Sequence, residues 1–266
     1  MIEHNFKKKF GQNFITDKNL LAAIVKDSLI QKEDEVLEIG AGAGTLTEII
    51  SENCKKLVSY EIDLDLQDML ESKDLPNVKF VFEDALKAPI QEIEKHFEGD
   101  YHIVANLPYY ITTPLIFKFL EETDKVKSLT IMVQKEVAER MVAKTGGKDY
   151  GILTVMLNFY GSTKITRIVK RNMFTPMPDV DSALVRIDIE KDKYKGIDRK
   201  KFSSFIKGAF SMRRKTLLNN LSASLKIEKN KLILALDEEF LRMRAEQVSI
   251  EDFINIYNNL LKNNLI

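Results

Sequence analysis

A glycine-rich turn lies near the start of the chain, between a run of apolar residues and an amphipathic segment. It reads Gly40-Ala-Gly-Ala-Gly44 and follows the predicted strand Val36–Ile39. Glycine permits positive φ angles and lets a ligand approach the backbone closely, and the N–H groups at a helix start attract polar or anionic groups. The spacing G-x-G-x-G differs from the dinucleotide pattern G-x-G-x-x-G. The turn is a candidate ligand-binding loop, with a plain strand-to-helix connection as the alternative.

Two acidic residues follow the next two predicted strands. Glu61 ends the predicted strand Lys56–Glu61, and Asp84 follows the predicted strand Val78–Phe82. A carboxylate at the end of the second strand can accept hydrogen bonds from both ribose hydroxyls of a nucleoside. One after the third strand can accept from an adenine amino group. Together with the glycine-rich turn, these acids suit S-adenosylmethionine (SAM), whereas two solvated acids beside an ordinary turn are the alternative.

A fourth strand end carries the sequence Asn106-Leu107-Pro108-Tyr109, after the apolar run Ile103–Ala105. The exocyclic amine of adenine is a poor nucleophile because its lone pair is conjugated with the ring. The side-chain oxygen of Asn106 and the carbonyl of Pro108 can draw its hydrogens toward tetrahedral geometry, and proline restricts the backbone there. The ring of Tyr109 can stack on a base that has left its helix. The motif resembles the [D/N]-[P/L/I]-P-[Y/F] motif of methyltransferases that act on adenine N6, and a proline turn beside a core tyrosine is the alternative.

Strand and helix patterns alternate over the first two thirds of the chain, which predicts an α/β fold with a mostly parallel, doubly wound sheet. Thr113 is predicted to cap a helix whose first residue is Pro114. A further helix is predicted over Gln134–Ala143. The late strands Ile165–Val169 and Ala183–Ile189 are expected to form an antiparallel pair at one sheet edge.

From about residue 190 the pattern becomes helical. Apolar residues recur at helical spacing in Phe202, Phe205, Ile206, Ala209 and Phe210. Ser249 is predicted to cap the last helix, with Asp252 three residues further on. We therefore predict a catalytic domain over residues 1–190 and a small all-α domain over residues 191–266.

The charges balance overall but are unevenly distributed. The chain has 40 basic and 40 acidic residues, so a uniformly basic nucleic-acid coat is excluded. Between Arg186 and Lys231 there are 14 basic and five acidic side chains, an excess of nine positive charges. Such a segment suggests a polyanionic partner, although solvated helix faces would give the same count.

Several other classes of site and location are disfavoured. The single cysteine, Cys54, excludes a disulfide framework. His4, His96 and His102 lack the spacing of metal ligands, so no metal site is expected. No apolar run has the length of a membrane span and the first residues do not resemble a secretory signal. We expect a cytoplasmic protein without membrane contact.

The ordered motifs resemble those of the small-subunit (16S) ribosomal RNA adenine N6,N6-dimethyltransferases over nearly the whole chain. The segment KKKFGQNFITD is similar to that family's K-x-x-x-GQNFL, and Phe174–Ser182 is similar to its F-x-P-x-P-x-V-D-S. Phe210–Leu217 and Arg244–Ser249 resemble its helical-domain signatures. The resemblance implies a Rossmann-like SAM methyltransferase sheet followed by a small C-terminal all-α domain.

The resemblance also implies a reaction and roles for matching residues. A monomer would dimethylate N6 of two adjacent adenosines in a hairpin loop near the 3′ end of 16S rRNA, within the pre-30S subunit. The implied cofactor site comprises Asn13, Ile15, Gly40, Gly42, Glu61, Asp84 and Asn106. Phe174 would stack on the face of the base opposite Tyr109, unless it is a core residue, and Arg213, Arg214 and Lys215 would contact rRNA phosphates. Tyr110 stands where many members carry Asn, and Ile15 where many carry Leu.

Three other functions remain as alternatives. Large-subunit (23S) rRNA methyltransferases of macrolide resistance share the cofactor motifs and an N-[LI]-P-[YF] loop. The motif FSMRRKTL and the Val180-Asp-Ser182 triplet favour the small-subunit family. A pre-ribosome-binding assembly factor with little catalysis is the second alternative. An NAD-dependent oxidoreductase is disfavoured by the glycine spacing.

Overall fold

The computed structural model describes residues 14–266, and their contacts divide the chain into two compact units. The first contains the residues up to Ala138 and Thr163–Ile189, and the second contains Glu139–Ser162 and Glu190–Ile266. A single boundary at residue 190 does not describe this division. The segment 139–162 groups with the C-terminal helices because of its hydrogen bonds. Tyr150 donates its hydroxyl to the carbonyl of Val248, and Gly146 donates its N–H to the carbonyl of Glu246.

The first unit is built on a seven-stranded sheet. Its strands are β2 (Glu35–Ile39), β3 (Lys56–Tyr60), β4 (Val78–Val81), β5 (Tyr101–Asn106), β6 (Val126–Gln134), β7 (Gly161–Val169) and β9 (Ser182–Ile189). Their order across the sheet is β4-β3-β2-β5-β6-β9-β7. Strands β2 to β6 pair in parallel, and β9 runs antiparallel to β6. The predicted doubly wound, mostly parallel sheet is confirmed, with β9 and β7 side by side at one edge. A separate antiparallel pair joins β1 (Phe14–Ile15) to β8 (Phe174–Thr175).

Helices cover the sheet and form the second unit. In chain order they are α1 (Lys18–Ser28), α2 (Thr45–Ser51), α3 (Gln67–Glu71), α4 (Ile90–Glu94), α5 (Tyr109–Glu121), α6 (Lys135–Met141), α7 (Ile152–Tyr160), α8 (Arg199–Ala209), α9 (Leu217–Leu225), α10 (Lys229–Ala235) and α11 (Ile250–Lys262). Every residue of β2 is buried, as expected of a parallel strand with helices on both faces. Within residues 14–266, every helix is too short or too polar to cross a membrane.

Helix α5 begins earlier than the sequence predicted. Its N-cap is Pro108, whose carbonyl accepts the N–H of Ile111, and Pro114 lies inside the helix rather than at its first position. The predicted cap at Thr113 is therefore wrong. Pro114 has no N–H to donate to the carbonyl of Tyr110 one turn earlier. Because Tyr110 is exposed, water can replace that bond and the helix tolerates the proline.

The second unit has an aromatic core. Phe202 stacks on Phe159 with ring centroids 4.4 Å apart, and Tyr257 meets Phe202 edge to face at 5.3 Å. The predicted apolar face of α8 is buried at Phe202, Phe205, Ile206 and Ala209. The predicted cap of α11 is also confirmed, since Ser249 accepts the N–H of Asp252.

Candidate functional site

A cavity of about 450 Å³ lies at the carboxyl ends of the central strands. Strand β2 lies between β3 and β5, so the chain order reverses at this point, which is where open α/β sheets bind ligands. The predicted site residues that line the cavity are Ile15, Gly40, Gly42, Glu61, Asp84, Asn106, Leu107 and Pro108. Asn13 lies outside the described residues. The cavity volume falls within the range usual for small-molecule sites.

Three glycines of the turn between β2 and α2 have positive φ angles, and two of them, Gly40 and Gly42, line the cavity. Gly40 has a φ of +85°, and a side chain there would place Cβ 3.4 Å from the carbonyl oxygen of Asn106. Gly42 has a φ of +55°, and its Cβ would lie 2.9 Å from the ring of Phe14. These positive φ angles strain any residue with a side chain. The turn thus exposes bare backbone on the cavity wall, between β2 and β5.

Glu61 connects this turn to the end of β3. One carboxylate oxygen accepts the N–H of Gly42 at 2.8 Å, and the other accepts the N–H groups of Ile62 and Asp63, each at 2.8 Å. The side chain is buried but lines the cavity. A carboxylate has about four acceptor positions, and the backbone takes three of them. Glu61 therefore fixes the shape of the turn and retains limited acceptor capacity toward a ligand.

Asp84 shapes the cavity wall beyond β4. The strand ends at Val81, so Asp84 stands three residues past the strand end. Its carboxylate accepts the N–H of Leu86 at 3.0 Å and lies 3.4 Å from the ammonium group of Lys87. The side chain is thus held at the cavity wall.

Glu38 is a buried carboxyl beneath the turn that the sequence reasoning missed. One oxygen accepts the hydroxyls of Thr47 and Ser59, each at 2.6 Å. The other has no hydrogen-bond partner among the described residues. Burial raises the pKa of Glu38 from 4.5 to about 7; the two hydroxyls oppose this shift, and the charge of Glu61 adds to it. The signal available in the sequence was an acidic residue within a predicted strand that is otherwise apolar.

The Asn106-Leu107-Pro108-Tyr109 motif ends β5 and starts α5. Asn106 is the last strand residue, paired with Met132 of β6. The carbonyl of Pro108 accepts the N–H of Ile111 at 3.2 Å and the hydroxyl of Thr112 at 3.4 Å. A helix N-cap carbonyl points along its helix. This carbonyl thus already accepts two hydrogen bonds within α5, and its expected contact with a substrate amine stays a prediction.

The two neighbouring tyrosines occupy different environments. Tyr109 is half-buried, and its hydroxyl lies 2.7 Å from the hydroxyl of Ser182 at the start of β9. Burial raises the pKa of Tyr109, with the Ser182 hydrogen bond opposing the shift. Tyr110 lines the cavity and is 67% exposed. The ring that follows the motif therefore contributes to the cavity wall.

Phe174 does not reach the cavity wall. It is 4% exposed and belongs to an apolar cluster with Leu20, Leu21 and Leu184. It also pairs with Ile15 between β8 and β1. The structure thus favours the interpretation of Phe174 as a core residue, because its ring packs the β1–β8 pair against the sheet.

The basic cluster of Arg213, Arg214 and Lys215 lies in the second unit, in the turn between α8 and α9. All three residues are exposed. The turn is fixed at both ends: Lys215 donates its N–H to Met212, and Leu217 donates its N–H to Met243. The cluster therefore projects three positive charges into solvent from an ordered backbone.

A buried Ser-His-Asp contact lies at the opposite end of the strands from the cavity. Ser128 lies 2.7 Å from Nδ1 of His102, and Nε2 lies 3.4 Å from Asp34. His102 is near the amino end of β5, whereas the cavity is at the carboxyl end. Ser128 is 1% exposed, so it cannot meet a substrate. Burial lowers the pKa of His102, and the group is structural.

Comparison with known sequences gives one consistent result. A family model described as ribosomal RNA adenine dimethylase matches residues 3–262. A protein of Alkaliphilus oremlandii named ribosomal RNA small subunit methyltransferase A is 43% identical, over 98% of this chain and 93% of its own length. A protein of the same name from Clostridium acetobutylicum is also 43% identical, over 93% of this chain and 91% of its own length.

Solved structures share the fold. A dimethyladenosine transferase from Plasmodium falciparum matches with a TM-score of 0.82 at 24% identity, over 94% of this chain and 98% of its own. The 23S rRNA methyltransferase ErmE matches with a TM-score of 0.67 at 26% identity, over 93% of this chain and 99% of its own. The Rossmann-like methyltransferase fold of the first unit is thereby confirmed.

Proposed function

The chain belongs to the ribosomal RNA adenine dimethylase family, and on this premise we propose that it dimethylates N6 of two adjacent adenosines in a hairpin loop near the 3′ end of 16S rRNA, using SAM. The observation that carries the proposal is the placement of Asn106 at the end of β5, on the wall of the cavity at the sheet's reversal point. A side-chain amide there would be within reach of both a cofactor in the cavity and a base at its mouth.

The cavity suits SAM in its donors, acceptors and shape. Gly40 and Gly42 present bare backbone on the cavity wall, which allows a ligand to approach the main chain closely. Glu61 would use its remaining acceptor position for a ribose hydroxyl, Asp84 would accept from an adenine amino group, and Ile15 supplies apolar wall. SAM supplies a methyl group on a sulfonium, a leaving group that is already activated. The residues lining the cavity include three carboxylates, those of Glu61, Glu83 and Asp84, and one ammonium group, that of Lys87. This excess of negative charge also favours a cationic ligand.

The motif residues would hold the target amine in a reactive geometry. The Asn106 side-chain oxygen and the Pro108 carbonyl would accept its two hydrogens, turning the nitrogen lone pair toward the cavity. A neutral amide orients the amine and does not remove its proton. The Tyr109 ring would stack on the extruded base, and bases in a loop are already partly unstacked, which lowers the cost of extrusion.

The second unit would contact the RNA backbone. Arg213, Arg214 and Lys215 present three exposed charges, and phosphate contacts supply affinity that does not depend on sequence. We place the enzyme on the pre-30S subunit in the cytoplasm, acting as a monomer during small-subunit assembly. Catalysis and a role in assembly are compatible.

The alternative substrate is 23S rRNA, as for ErmE, to which the chain is 26% identical. The small-subunit substrate is favoured because the relatives at 43% identity bear the name of small subunit methyltransferases. No observation favours a purely structural assembly factor over the enzyme, since the acceptor motif is intact.

The test is methylation of ribosomal subunits from a strain that lacks this gene, with tritiated SAM and mapping of the product. We expect label on two adjacent adenosines of 16S rRNA in small subunits. Label on 23S rRNA in large subunits would select the alternative. Tight binding to small subunits without label would select the assembly factor.

A further inference from the structure

The proposed function assigns no role to Asp181 and Ser182, the last two residues of the Phe174–Ser182 motif. The hydroxyl of Ser182 lies 2.7 Å from the hydroxyl of Tyr109, although 73 positions separate these residues. Ser182 is fully buried and begins β9 opposite Gln134 of β6. Its backbone is therefore fixed by the sheet, at the same edge at which Asn106 ends β5.

Asp181 connects the same point to the segment that leads into Phe174. Its carboxylate accepts the N–H of Arg171 at 3.0 Å and lies 2.8 Å from the ammonium group of Lys170. Its carbonyl accepts the N–H of Lys135, the first residue of α6, at 3.0 Å. The start of β9 is thus held rigidly between β6 and the 170–174 segment, and Ser182 presents its hydroxyl from a stationary position.

The contact acts at the far end of the Tyr109 side chain. A tyrosine ring is oriented by two dihedral angles, and a hydrogen bond at the phenol oxygen restrains both. The residue begins α5 directly after Pro108, so its backbone is also restrained. Burial raises the pKa of Tyr109, so the phenol keeps its proton and either hydroxyl can donate.

We propose that Ser182 is a positioning residue that sets the inclination of the Tyr109 ring against the substrate base. The inference rests on the proposed function, in which that ring stacks on the adenine. Stacking needs two parallel planes, so the ring's inclination determines that of the base. The base in turn carries the amine toward Asn106. Without the hydrogen bond to Ser182, the ring would adopt several inclinations and the base several orientations. Only a fraction of these would place the amine beside Asn106.

Three variants and a matched control test the proposal. Ser182→Ala and Tyr109→Phe remove the same hydrogen bond from its two sides, and the double variant removes both hydroxyls. Ser128→Ala is the control, because Ser128 is also buried in the sheet and also makes one 2.7 Å side-chain hydrogen bond, to His102. The readouts are kcat and KM on small subunits, SAM affinity by calorimetry and thermal stability.

We expect Ser182→Ala to lower kcat roughly tenfold, since one neutral hydrogen bond and the alignment it gives are lost. SAM affinity should stay within about twofold, because the cavity lining is unchanged. Tyr109→Phe should lower kcat by the same factor as Ser182→Ala. The double variant should be no slower than either single variant, because all three lack the same hydrogen bond. Ser182→Thr keeps a hydroxyl and should recover most of kcat. The control should lose stability while its kcat is unchanged.

Two results would overturn the proposal: a kcat for Ser182→Ala equal to that of the control, or single-variant losses that multiply in the double variant. If Ser182→Ala does not fold, Tyr109→Phe tests the same bond from its other side. The outcomes are separable from failure of the proposed function. An unmodified enzyme that does not methylate small subunits refutes that function, whereas an active enzyme with an unaffected Ser182→Ala variant refutes the positioning role alone.

Discussion

Replacement of the buried carboxyl of Glu38 by an amide should change how the stability of the protein depends on pH. Burial raises the pKa of Glu38 from 4.5 to about 7. A raised folded-state pKa means that its stabilising contribution is complete below pH 4.5 and is lost as the pH rises through 7. At about 1.4 kcal/mol for each tenfold change in the protonation equilibrium, the loss amounts to about 3 kcal/mol.

Glu38→Gln removes this titration but keeps an oxygen that can accept the hydroxyls of Thr47 and Ser59. The free energy of unfolding can be measured by urea denaturation at about pH 5, 6, 7 and 8. Between the first and last of these it should fall in the parent by about 2–3 kcal/mol more than in the variant, because a small part of the loss is already complete at the lowest pH. The pH slope is diagnostic even if the amide shifts the absolute stability.

Glu98→Gln is the control. Glu98 is an exposed carboxyl whose pKa is lowered by its hydrogen bond to Lys55. A lowered pKa affects stability only as the pH falls through the acidic range, so this variant should keep the parent's slope above pH ~5. Equal slopes for the parent and Glu38→Gln would show that the carboxyl is ionised throughout and would refute the reasoning from burial.

Three further variants test the site. Asn106→Ala should lower kcat by roughly 10²-fold, since one oriented acceptor is lost, with RNA affinity unchanged in a filter-binding assay; a near-parental rate would contradict the acceptor role. Glu61→Ala should weaken SAM binding in calorimetry by about 1.5–3 kcal/mol for the ribose hydrogen bond lost, and it also releases the N–H of Gly42. Unchanged affinity would show that Glu61 does not bind the cofactor. Alanine at Arg213, Arg214 and Lys215 should reduce the slope of log K against log salt by roughly 0.7–0.9 per charge, measured by titrating small subunits at several salt concentrations. An unchanged slope with intact SAM affinity would show that this cluster is a solvated surface that does not contact RNA.

The gathering of the cavity residues could be predicted from the sequence. The glycine-rich turn, Glu61, Asp84 and Asn106 each follow a strand of an alternating pattern. Because the carboxyl ends of parallel strands meet at one edge of a sheet, local patterns were sufficient to bring these residues together. The cap at Ser249 was equally predictable, since capping uses neighbours in the chain.

Contacts between distant segments could not be predicted. Ser182 meets Tyr109 across 73 positions, and the burial of Phe174 depends on its pairing with Ile15. Apolar periodicity shows that a residue is buried but does not name its partner. The sequence prediction also placed the start of α5 too late. It relied on the preference of proline for the first position of a helix, at Pro114, whereas the helix has its N-cap at Pro108.

The sequence by itself thus determined the order of strands and helices, the family, and the strand ends that carry the chemistry, because these follow from local patterns. Only the tertiary structure decided that segment 139–162 joins the second unit, that the carbonyl of Pro108 serves α5, and that Ser182 holds Tyr109. Each of these features depends on strand register and side-chain packing between segments that are far apart in the chain. Such contacts stabilise the fold only after both segments have come together, so neither segment's sequence predicts them alone.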